Sequence, residues 1–443
     1  MSSIYQRNFD KYTDMLNHAH LTKDSGKVTE VNGMIIKGYL PGASVGSICE
    51  ISPSGQDSSF LAEVVGFKDK NVLMMPLSDM RGIALGSKIV LARQIATVKA
   101  GEELLGRVVD GLGRPLDALG ELENFKEIPL YNAVRNPLER RPIREPLDLG
   151  VRSINATLTV GQGQRIAIMA GSGVGKSVLL GMMARNTTAD VNVIALIGER
   201  GREVREFIEN DLGPEGMKRS VVVCVTSDQS PLLRMRGAFV ATAIAEHFAG
   251  KGKNVLLMMD SVTRFAMAQR EIGLSTGEPP SSKGYTPSVF STLPKLLERA
   301  GSFEGEGSIT GFYTTLVEGD DMNDPIGDAV RSIVDGHIVL SRALAHRGHY
   351  PAVDVLQSAS RVMRSVVSPE HTKMAQKIRE ILATYKEAED LINIGAYKAG
   401  SNPRIDKAVK YIDAINGFLK QQVDDPTNFN QCLRMMQGVL VNA

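Results

Sequence analysis

Four apolar residues recur near the start of the chain at spacings of four, three and four: Tyr5, Phe9, Tyr12 and Leu16. These spacings place them on one face of a helix, with polar residues on the other faces. The pattern therefore predicts an amphipathic N-terminal helix over residues 1–22. Its apolar face has two interpretations, packing on a neighbouring domain or binding a partner protein.

Residues 23–93 show a different pattern, in which short runs rich in β-type residues alternate with Gly and Pro at close intervals. Such closely spaced strands and turns are typical of a small all-β barrel or sandwich. The Gly- and Pro-containing segment 106–117 follows, and it predicts a turn-rich crossing between domains.

Apolar runs alternate with helical patterns over residues 94–365. Four of the runs are apolar on both faces: residues 165–169, 191–197, 220–225 and 254–259. Strands of a parallel sheet that is covered on both sides have this composition, so the pattern predicts an α/β domain. Residues 366–443 have helical spacing, and Ser368 and Asn402, each followed by proline, predict two helix starts.

The composition of this multidomain α/β chain argues against several classes of function. Its 443 residues carry a net charge of only +1, which argues against the basic field that holds nucleic acid. No stretch reaches the ~18 uninterrupted apolar residues of a membrane helix, and the N-terminus lacks a signal-peptide pattern. Three cysteines at no metal-binding spacing are expected to be buried. We therefore expect a cytoplasmic protein that meets membranes only through partners.

The strongest chemical signal is a glycine-rich loop between a predicted strand and a predicted helix. The loop, residues 170–177, reads Ala-Gly-Ser-Gly-Val-Gly-Lys-Ser. Glycines let successive backbone N–H groups point at a phosphate, and the helix N-terminus favours the same anion. Lys176 would reach the β- and γ-phosphates of ATP, and Ser177 would bind Mg²⁺. The predicted nucleotide-binding residues are thus Gly171, Ser172, Gly173, Val174, Gly175, Lys176 and Ser177.

Two carboxylates follow predicted strands, whose carboxyl ends face the ligand crevice of a parallel sheet. Asp260 could cap a helix, but the phosphate loop upstream favours a role in holding Mg²⁺. Glu199 could orient a water and take its proton during attack on the γ-phosphate. A structural ion pair with Arg200 or Arg202 is the alternative role of Glu199.

Two residues beyond these strands complete the candidate set. Arg361 lies where the α/β pattern gives way to helices, and an arginine at a subunit edge can stabilise charge on a neighbour's γ-phosphate. Tyr350 could stack on adenine or pack at the edge of the core, and both interpretations stay open.

Several motifs resemble the catalytic core of rotary ATPases: residues 171–177, 198–200 (Gly-Glu-Arg), 260–264 (Asp-Ser-Val-Thr-Arg), 348–354 and 358–361 (Ser-Ala-Ser-Arg). Two further stretches, residues 277–285 and 335–342, are similar to type III secretion ATPases. Residues 176–185 are most similar to the flagellar export ATPases.

This resemblance implies an N-terminal β-barrel, a RecA-like P-loop domain that hydrolyses ATP, and a helical C-terminal domain. It also implies a homohexamer with nucleotide sites between subunits. By motif position, Glu199 is the catalytic carboxylate and Asp260 the Mg²⁺ ligand. Arg361 is then the finger donated to the neighbouring subunit, and Tyr350 the aromatic that faces adenine. Lys176 and Ser177 then bind phosphate and Mg²⁺, and the implied supporting charges near the γ-phosphate are Arg200 and Arg264.

The resemblance extends to partners. It implies that the N-terminal helix binds a peripheral-stalk-like regulator, which favours the partner interpretation of residues 1–22. A central-stalk-like protein, export chaperones with their cargo, and the membrane export gate are further implied partners. The implied location is the cytoplasmic side of the inner membrane at the flagellar base.

Three positions depart from the commonest family pattern: Ala170, Thr286 and residues 355–357.

Three alternative functions also follow from the sequence. The catalytic subunit of an ion-driven rotary ATP synthase would share the core, but residues 277–285 and 335–342 argue against it. A non-catalytic scaffold would lack the carboxylate of Glu199. An injectisome ATPase differs in cargo and not in chemistry, and the motifs leave it open.

Overall fold

The computed structural model describes residues 25–53, 59–78, 80, 82–317 and 324–440. The predicted helix over residues 1–22 lies outside them. The chain divides into two compact units, with the boundary between Ala96 and Thr97. The domain boundaries predicted at residues 22, 93 and 365 stay predictions.

The described residues of the first unit form a closed barrel of six strands, which decides between barrel and sandwich. The strands are β1 (Ser25–Asn32), β2 (Ile35–Tyr39), β3 (Ile48–Ser52), β4 (Phe60–Lys68), β5 (Asn71–Pro76) and β6 (Lys88–Arg93). They follow one another around the barrel in the order β1-β2-β5-β4-β3-β6. Successive side chains of a strand point to opposite faces, so alternate residues fill the barrel interior, among them Ile36, Ile51, Met74 and Ile89.

The second unit is built around a mostly parallel sheet. Its strands are β7 (Thr97–Ala100), β8 (Val108–Val109), β9 (Lys126–Pro129), β10 (Pro146–Leu147), β11 (Val160–Gly161), β12 (Arg165–Ala170), β13 (Val191–Glu199), β14 (Ser220–Thr226), β15 (Asn254–Asp260), β16 (Gly301–Ser302), β17 (Ser308–Leu316), β18 (Gly336–Leu340) and β19 (Ala359–Ser360). Nine of them form one sheet in the order β19-β18-β12-β17-β15-β13-β14-β8, with β16 beside β17. Strands β18 to β8 of this order run parallel, whereas β19 is antiparallel to β18.

The four predicted strands of the α/β domain are confirmed as β12, β13, β14 and β15, each one or two residues longer than predicted. The interpretation of residues 106–117 as a crossing between domains is wrong. Val108–Val109 form β8, the edge strand of the sheet, with Val108 beside Val222 of β14. A two-residue strand between glycines has no hydrophobic pattern of its own, so its partner strand decides its structure.

The helices of the second unit cover the sheet and form its C-terminal part. They are α1 (Arg152–Thr157), α2 (Lys176–Asn186), α3 (Gly201–Glu206), α4 (Gly213–Lys218), α5 (Pro231–Gly250), α6 (Val262–Thr276), α7 (Pro287–Leu297), α8 (Pro325–Ile333), α9 (Arg342–His346), α10 (Met363–Val366), α11 (Pro369–Asn393), α12 (Pro403–Leu419) and α13 (Phe429–Leu440). A π-helical segment, Phe207–Leu212, lies between α3 and α4.

The C-terminal helices pack on one another and on the α/β part. The side chains of Ser368 and Asn402 cap α11 and α12, which confirms both predicted helix starts. Arg152 of α1 is buried, forms a 2.7 Å ion pair with Asp425 and donates to the Phe418 carbonyl at 2.9 Å. The shared core of α11, α12 and α13 includes Ile378, Ile415, Phe418, Cys432 and Met436.

Two expectations from composition can be compared with this fold. Cys49, Cys224 and Cys432 are all buried and free, as predicted. Over the described ranges, none of the helices has the length and apolar character needed to cross a membrane.

Candidate active site

The glycine-rich loop joins the carboxyl end of β12 to the start of α2. Gly173 and Gly175 have φ angles of +75° and +82°, a left-handed conformation that favours glycine. Val174 between them is buried and fixes the loop to the core, whereas Ser172 and Ser177 are exposed. The loop therefore forms an open cradle for an anion at the positive end of α2.

Lys176 and Asp260 form an ion pair at the floor of this cradle. The Lys176 Nζ lies 2.5 Å from Oδ1 of Asp260, whose side chain ends β15 and is buried. The Thr314 hydroxyl donates to the same oxygen at 2.7 Å. Strand β17 carries Thr314 and lies beside β15, with Met259 opposite Tyr313. The role of Thr314 has no signal in the sequence, because only the strand order brings it to Asp260.

Glu199 ends β13, the other neighbour of β15, and lies near Asp260 and Lys176. Its Oε1 atom is buried and has no hydrogen-bond partner among the described residues. Burial and, after it, the Asp260 carboxylate raise the pKa of Glu199 to about 7, against the opposing charges of Lys176 and Arg264. A carboxyl group with a pKa near neutrality is suited to accept and release a proton.

Arg264 packs against the end of β13 from the first turn of α6. Gly198 has a φ of +70°, and a methyl group there would lie 2.9 Å from Cβ of Arg264. The Arg264 Nε is buried and has no hydrogen-bond partner within the described part of the chain. A positive charge with an unused donor thus lies next to Glu199.

Tyr350 lies beside the phosphate loop and is 45% exposed. A methyl group on Gly175 would lie 3.3 Å from the Tyr350 ring, which shows how closely the ring approaches the loop. The Tyr350 carbonyl accepts a 2.9 Å hydrogen bond from the backbone N–H of Gln421. The structure therefore places an accessible aromatic face between the phosphate loop and the C-terminal helices.

The structure does not bring Arg200 to this group of residues. Its side chain is 78% exposed and pairs with Glu203 at 3.3 Å along the surface of α3. Because both side chains are exposed, this ion pair contributes little stability. Arg200 can therefore break the pair and adopt another rotamer.

Arg361 lies at the opposite edge of the sheet from the phosphate loop of its own chain. It follows β19, and its backbone N–H donates to the Asp335 carbonyl, just before β18, at 3.0 Å. Strand β12 runs from Arg165 at this amino edge to Ala170 at the loop, six residues or roughly 16 Å. The exposed Arg361 side chain therefore cannot complete the site of its own chain.

The donors at the loop fit Mg²⁺ bound together with a nucleotide. Within the described ranges, no cluster of three or more His, Cys, Asp and Glu could hold a metal ion. Mg²⁺ commonly takes one or two protein oxygens and completes its shell with phosphate and water oxygens. The Ser177 hydroxyl and the Asp260 carboxylate are such oxygens. The unpartnered atoms of Glu199 and Arg264 are further polar groups that a bound substrate could satisfy.

Family models match three consecutive parts of the chain. The beta-barrel domain of the ATP synthase alpha/beta family matches residues 22–91, and the nucleotide-binding domain of the same family matches residues 150–360. The T3SS EscN ATPase C-terminal domain matches residues 367–438.

Relatives match nearly the whole chain. The "Flagellum-specific ATP synthase" of Bacillus subtilis is 54% identical over 95% of this chain and 96% of its own. The protein of the same name from Salmonella typhimurium is 48% identical over 95% of this chain and 92% of its own. The "Type 3 secretion system ATPase" of Xanthomonas euvesicatoria is 49% identical over 94% of each chain.

Solved structures share the fold. The assembled ATPase EscN from the type III secretion system of enteropathogenic E. coli has a TM-score of 0.88 at 47% identity, covering 94% of this chain and 100% of EscN. EscN in complex with its central stalk EscO has a TM-score of 0.87 at 46% identity, with the same coverage. These matches confirm the predicted fold class of β-barrel, RecA-like α/β domain and helical C-terminal domain. The chain belongs to the ATP synthase alpha/beta family, within the group of flagellum-specific ATP synthases and type III secretion ATPases.

Proposed function

We propose that this chain hydrolyses ATP to ADP and phosphate to energise type III export of flagellar proteins. One observation carries the chemical part of the proposal. Glu199 is a half-buried carboxylate whose buried Oε1 has no hydrogen-bond partner among the described residues and whose pKa is about 7, next to the Lys176–Asp260 pair and the phosphate loop. A nucleotide-binding scaffold would have no use for a proton acceptor at that position.

Binding of the nucleotide would use the loop and its lysine. Backbone N–H groups of residues 171–177 would surround the phosphates, and Lys176 would exchange part of its contact with Asp260 for phosphate oxygens. Ser177 and Asp260 would hold Mg²⁺, which, when bound, neutralises charge on the β- and γ-phosphates. The Tyr350 ring, accessible beside Gly175, would stack on adenine.

Hydrolysis would then depend on Glu199. Its carboxylate orients a water in line with the γ-phosphorus and accepts a proton as the new P–O bond forms. The bond from the γ-phosphorus to the β–γ bridging oxygen breaks, and ADP leaves with the electron pair. Arg264 would place positive charge beside the reacting phosphate. The role of Arg200 stays a prediction, since its side chain would first have to leave Glu203.

Completion of the site would come from a neighbouring subunit of a homohexamer. The position of Arg361 at the far edge of its own sheet supports a finger that stabilises transition-state charge in the neighbour's site. The assembled state of EscN, to which the chain is similar over its length, supports the ring.

The export role and its partners rest on the relatives. The flagellum-specific ATP synthase of Bacillus subtilis is 54% identical to this chain, but that of Salmonella typhimurium is 48% identical and the Xanthomonas type 3 secretion system ATPase 49%. The relatives therefore support type III export, and residues 176–185 favour its flagellar form. Contact with a central-stalk-like protein is supported by the EscN–EscO complex. We further propose a peripheral-stalk-like regulator bound by residues 1–22, export chaperones with cargo, and a cytoplasmic location at the membrane export gate.

Substitution of the proposed base tests the chemistry. In Glu199→Gln the shape is kept and the proton acceptor is lost, so we expect ATP affinity within a few-fold of wild type and turnover reduced by at least about 10³-fold. Titration calorimetry and steady-state phosphate release measure the two quantities. Glu203→Gln, on the adjacent helix, is the matched control and should keep its turnover. Near-normal turnover in Glu199→Gln would exclude this residue as the base.

A genetic experiment tests the export role. Deletion of the gene from its host should abolish motility and secretion of flagellar proteins, and the wild-type gene should restore both while Glu199→Gln should not. Full motility with loss of an injectisome activity would assign the chain to virulence secretion instead.

A purified chain that hydrolyses ATP only with a second, different ATPase-fold subunit would indicate a rotary ATP synthase.

A further inference from the structure

The short strand before Arg361 depends on neighbouring segments for its position. Strand β19 has two residues and pairs with β18 through Ser360 opposite Gly336 and Ala359 opposite His337. Strands this short have little stability of their own. An exposed arginine that must reach a neighbouring subunit needs a fixed backbone, because a shift of about 1 Å in a reacting group can cost about 10²-fold in rate.

Gln164 supplies hydrogen bonds at this point. Its side chain is fully buried, and its Oε1 accepts from the backbone N–H of Gly161 at 2.9 Å. Its Nε2 donates to the Asp335 carbonyl and to the Ser360 hydroxyl, both at 3.1 Å. The same Asp335 carbonyl accepts from the backbone N–H of Arg361 at 3.0 Å. One carboxamide therefore contacts both the residue before Arg361 and the group that holds the Arg361 backbone.

The acceptors of Gln164 are themselves fixed. The Asp335 carboxylate accepts from Nε and Nη2 of Arg165, each at 3.1 Å. The Ser360 hydroxyl donates to the Thr159 carbonyl at 2.9 Å. A methyl group on Gly336 would lie 2.6 Å from the Ala359 carbonyl oxygen, so β18 and β19 are packed without space between them. Gln164 thus connects the backbone just before Arg361 to residues that are themselves held by hydrogen bonds.

We propose that Gln164 is a positioning residue for Arg361 and acts, through the backbone of β19, on the active site of the neighbouring subunit. It touches neither nucleotide nor phosphate loop, since it lies at the amino end of β12. The inference rests on the proposed function, because it requires that Arg361 serves the neighbour's site. The new element is that the buried side-chain amide of Gln164 in one subunit controls the rate of ATP turnover in the neighbouring subunit.

The Gln164→Glu variant tests the proposal with almost no change in shape. It replaces the donating amide by a carboxyl oxygen that faces the Asp335 carbonyl. We expect turnover of the assembled ring to fall about 10- to 100-fold, with the ATP dissociation constant of the subunit within twofold of wild type. Gln162→Glu is the matched control: it changes the same charge in the same turn and should keep wild-type turnover.

Mixed rings separate positioning of the finger from damage to the variant's own site. Gln164→Glu has an intact Glu199, and Glu199→Gln has an intact Gln164 and Arg361. In a 1:1 mixture about one interface in four pairs an intact site with an intact finger, so up to about a quarter of wild-type turnover should return. A mixture of Glu199→Gln with Arg361→Ala, which lacks the finger itself, is the reference for this recovery of turnover.

The outcomes distinguish the inference from the function on which it rests. If the Arg361→Ala mixture regains turnover and the Gln164→Glu mixture does not, or if Gln164→Glu alone turns over normally, the inference is wrong and the proposed function stands. If neither mixture regains turnover, the proposed trans role of Arg361 fails. Should Gln164→Glu not fold, Ser360→Ala removes the acceptor and should give a smaller loss, about 3- to 10-fold, with the same recovery in mixed rings.

Discussion

The polar groups beside the phosphate loop and those around Gln164, at opposite edges of the central sheet, differ in how they are hydrogen-bonded. At the carboxyl edge, Glu199 and Arg264 keep buried polar atoms without partners among the described residues. At the amino edge, the Gln164 carboxamide has partners for both its oxygen and its nitrogen, and Asp335 is held by Arg165. Buried polar groups are normally hydrogen-bonded, and these two lie beside the phosphate loop, where a bound substrate would supply the partners that they lack.

One strand serves two different sites. Strand β12 ends in the phosphate loop of its own subunit and begins at Gln164 and Arg165, beside the finger offered to a neighbour. Substitutions at the carboxyl edge should therefore impair the subunit that carries them. Substitutions at the amino edge should impair the adjacent subunit, and each prediction below tests one edge.

The largest effect is expected at the amino edge, from Arg361→Ala. Removal of a charge that stabilises the transition state in the neighbour's site should lower turnover of the assembled protein by about 10³-fold or more. ATP affinity of the isolated subunit should stay at the wild-type value, since the residue lies roughly 16 Å from its own loop. Arg364→Ala, exposed and three residues further on, is the control. A tenfold loss of affinity in the isolated Arg361→Ala subunit would contradict the placement.

A pH-dependent stability difference is expected at the carboxyl edge, between wild type and Glu199→Gln without nucleotide. The folded chain keeps the Glu199 proton up to a pKa of about 7, whereas the unfolded chain releases it near its ordinary value of 4.5. Between these values the unfolded state of the wild type gains an ionised carboxylate, so wild type loses stability as pH rises and the glutamine variant does not.

This stability difference can be measured by urea unfolding at several pH values. Relative to wild type, the free energy of unfolding of Glu199→Gln should rise by about 2 kcal/mol from about pH 5 to about pH 8, allowing for solvent screening. The difference should be level above about pH 8, where Glu199 is ionised in both the folded and the unfolded state. A difference that does not change with pH would show that the carboxyl is solvated in the folded chain.

The smallest effect is expected from Tyr350→Ala. Loss of the ring beside Gly175 should weaken ATP binding about fivefold, because stacking on adenine contributes on the order of 1 kcal/mol. Binding of inorganic pyrophosphate, which has no base to stack, should be unchanged. Tyr350→Phe keeps the ring and should bind ATP as wild type does. Equal weakening for pyrophosphate would mean that the ring supports the loop and not the base.

Much of the fold could be predicted because its signals are local. The four strands of the α/β domain, the caps Ser368 and Asn402, and the loop between strand and helix depend on residues close in sequence. The segment 106–117 was misjudged because β8 exists only through its pairing with β14. Thr314 and Gln164 were missed for the same reason: their partners are set by strand order, which hydrophobic patterns do not encode.

The candidate site shows the same division. The positions of Glu199 and Asp260 at strand ends, and of Lys176 and Ser177 at the start of α2, follow from the sequence. The structure brings Lys176, Glu199 and Asp260 together. The position of Arg361 at the amino edge does not follow from spacing, because it depends on β19 running antiparallel to β18. Because Arg361 at this edge cannot reach the phosphate loop of its own chain, its proposed role requires a neighbouring subunit.

Mixed rings of Glu199→Gln and Arg361→Ala test this account most directly. Each variant alone should show turnover near background, the first for lack of a base and the second for lack of a finger. A 1:1 mixture, assembled together and assayed for phosphate release, should regain up to about a quarter of wild-type turnover, since some interfaces then pair an intact Glu199 with an intact Arg361. A mixture no more active than its two components would contradict a site shared between the two edges of neighbouring sheets.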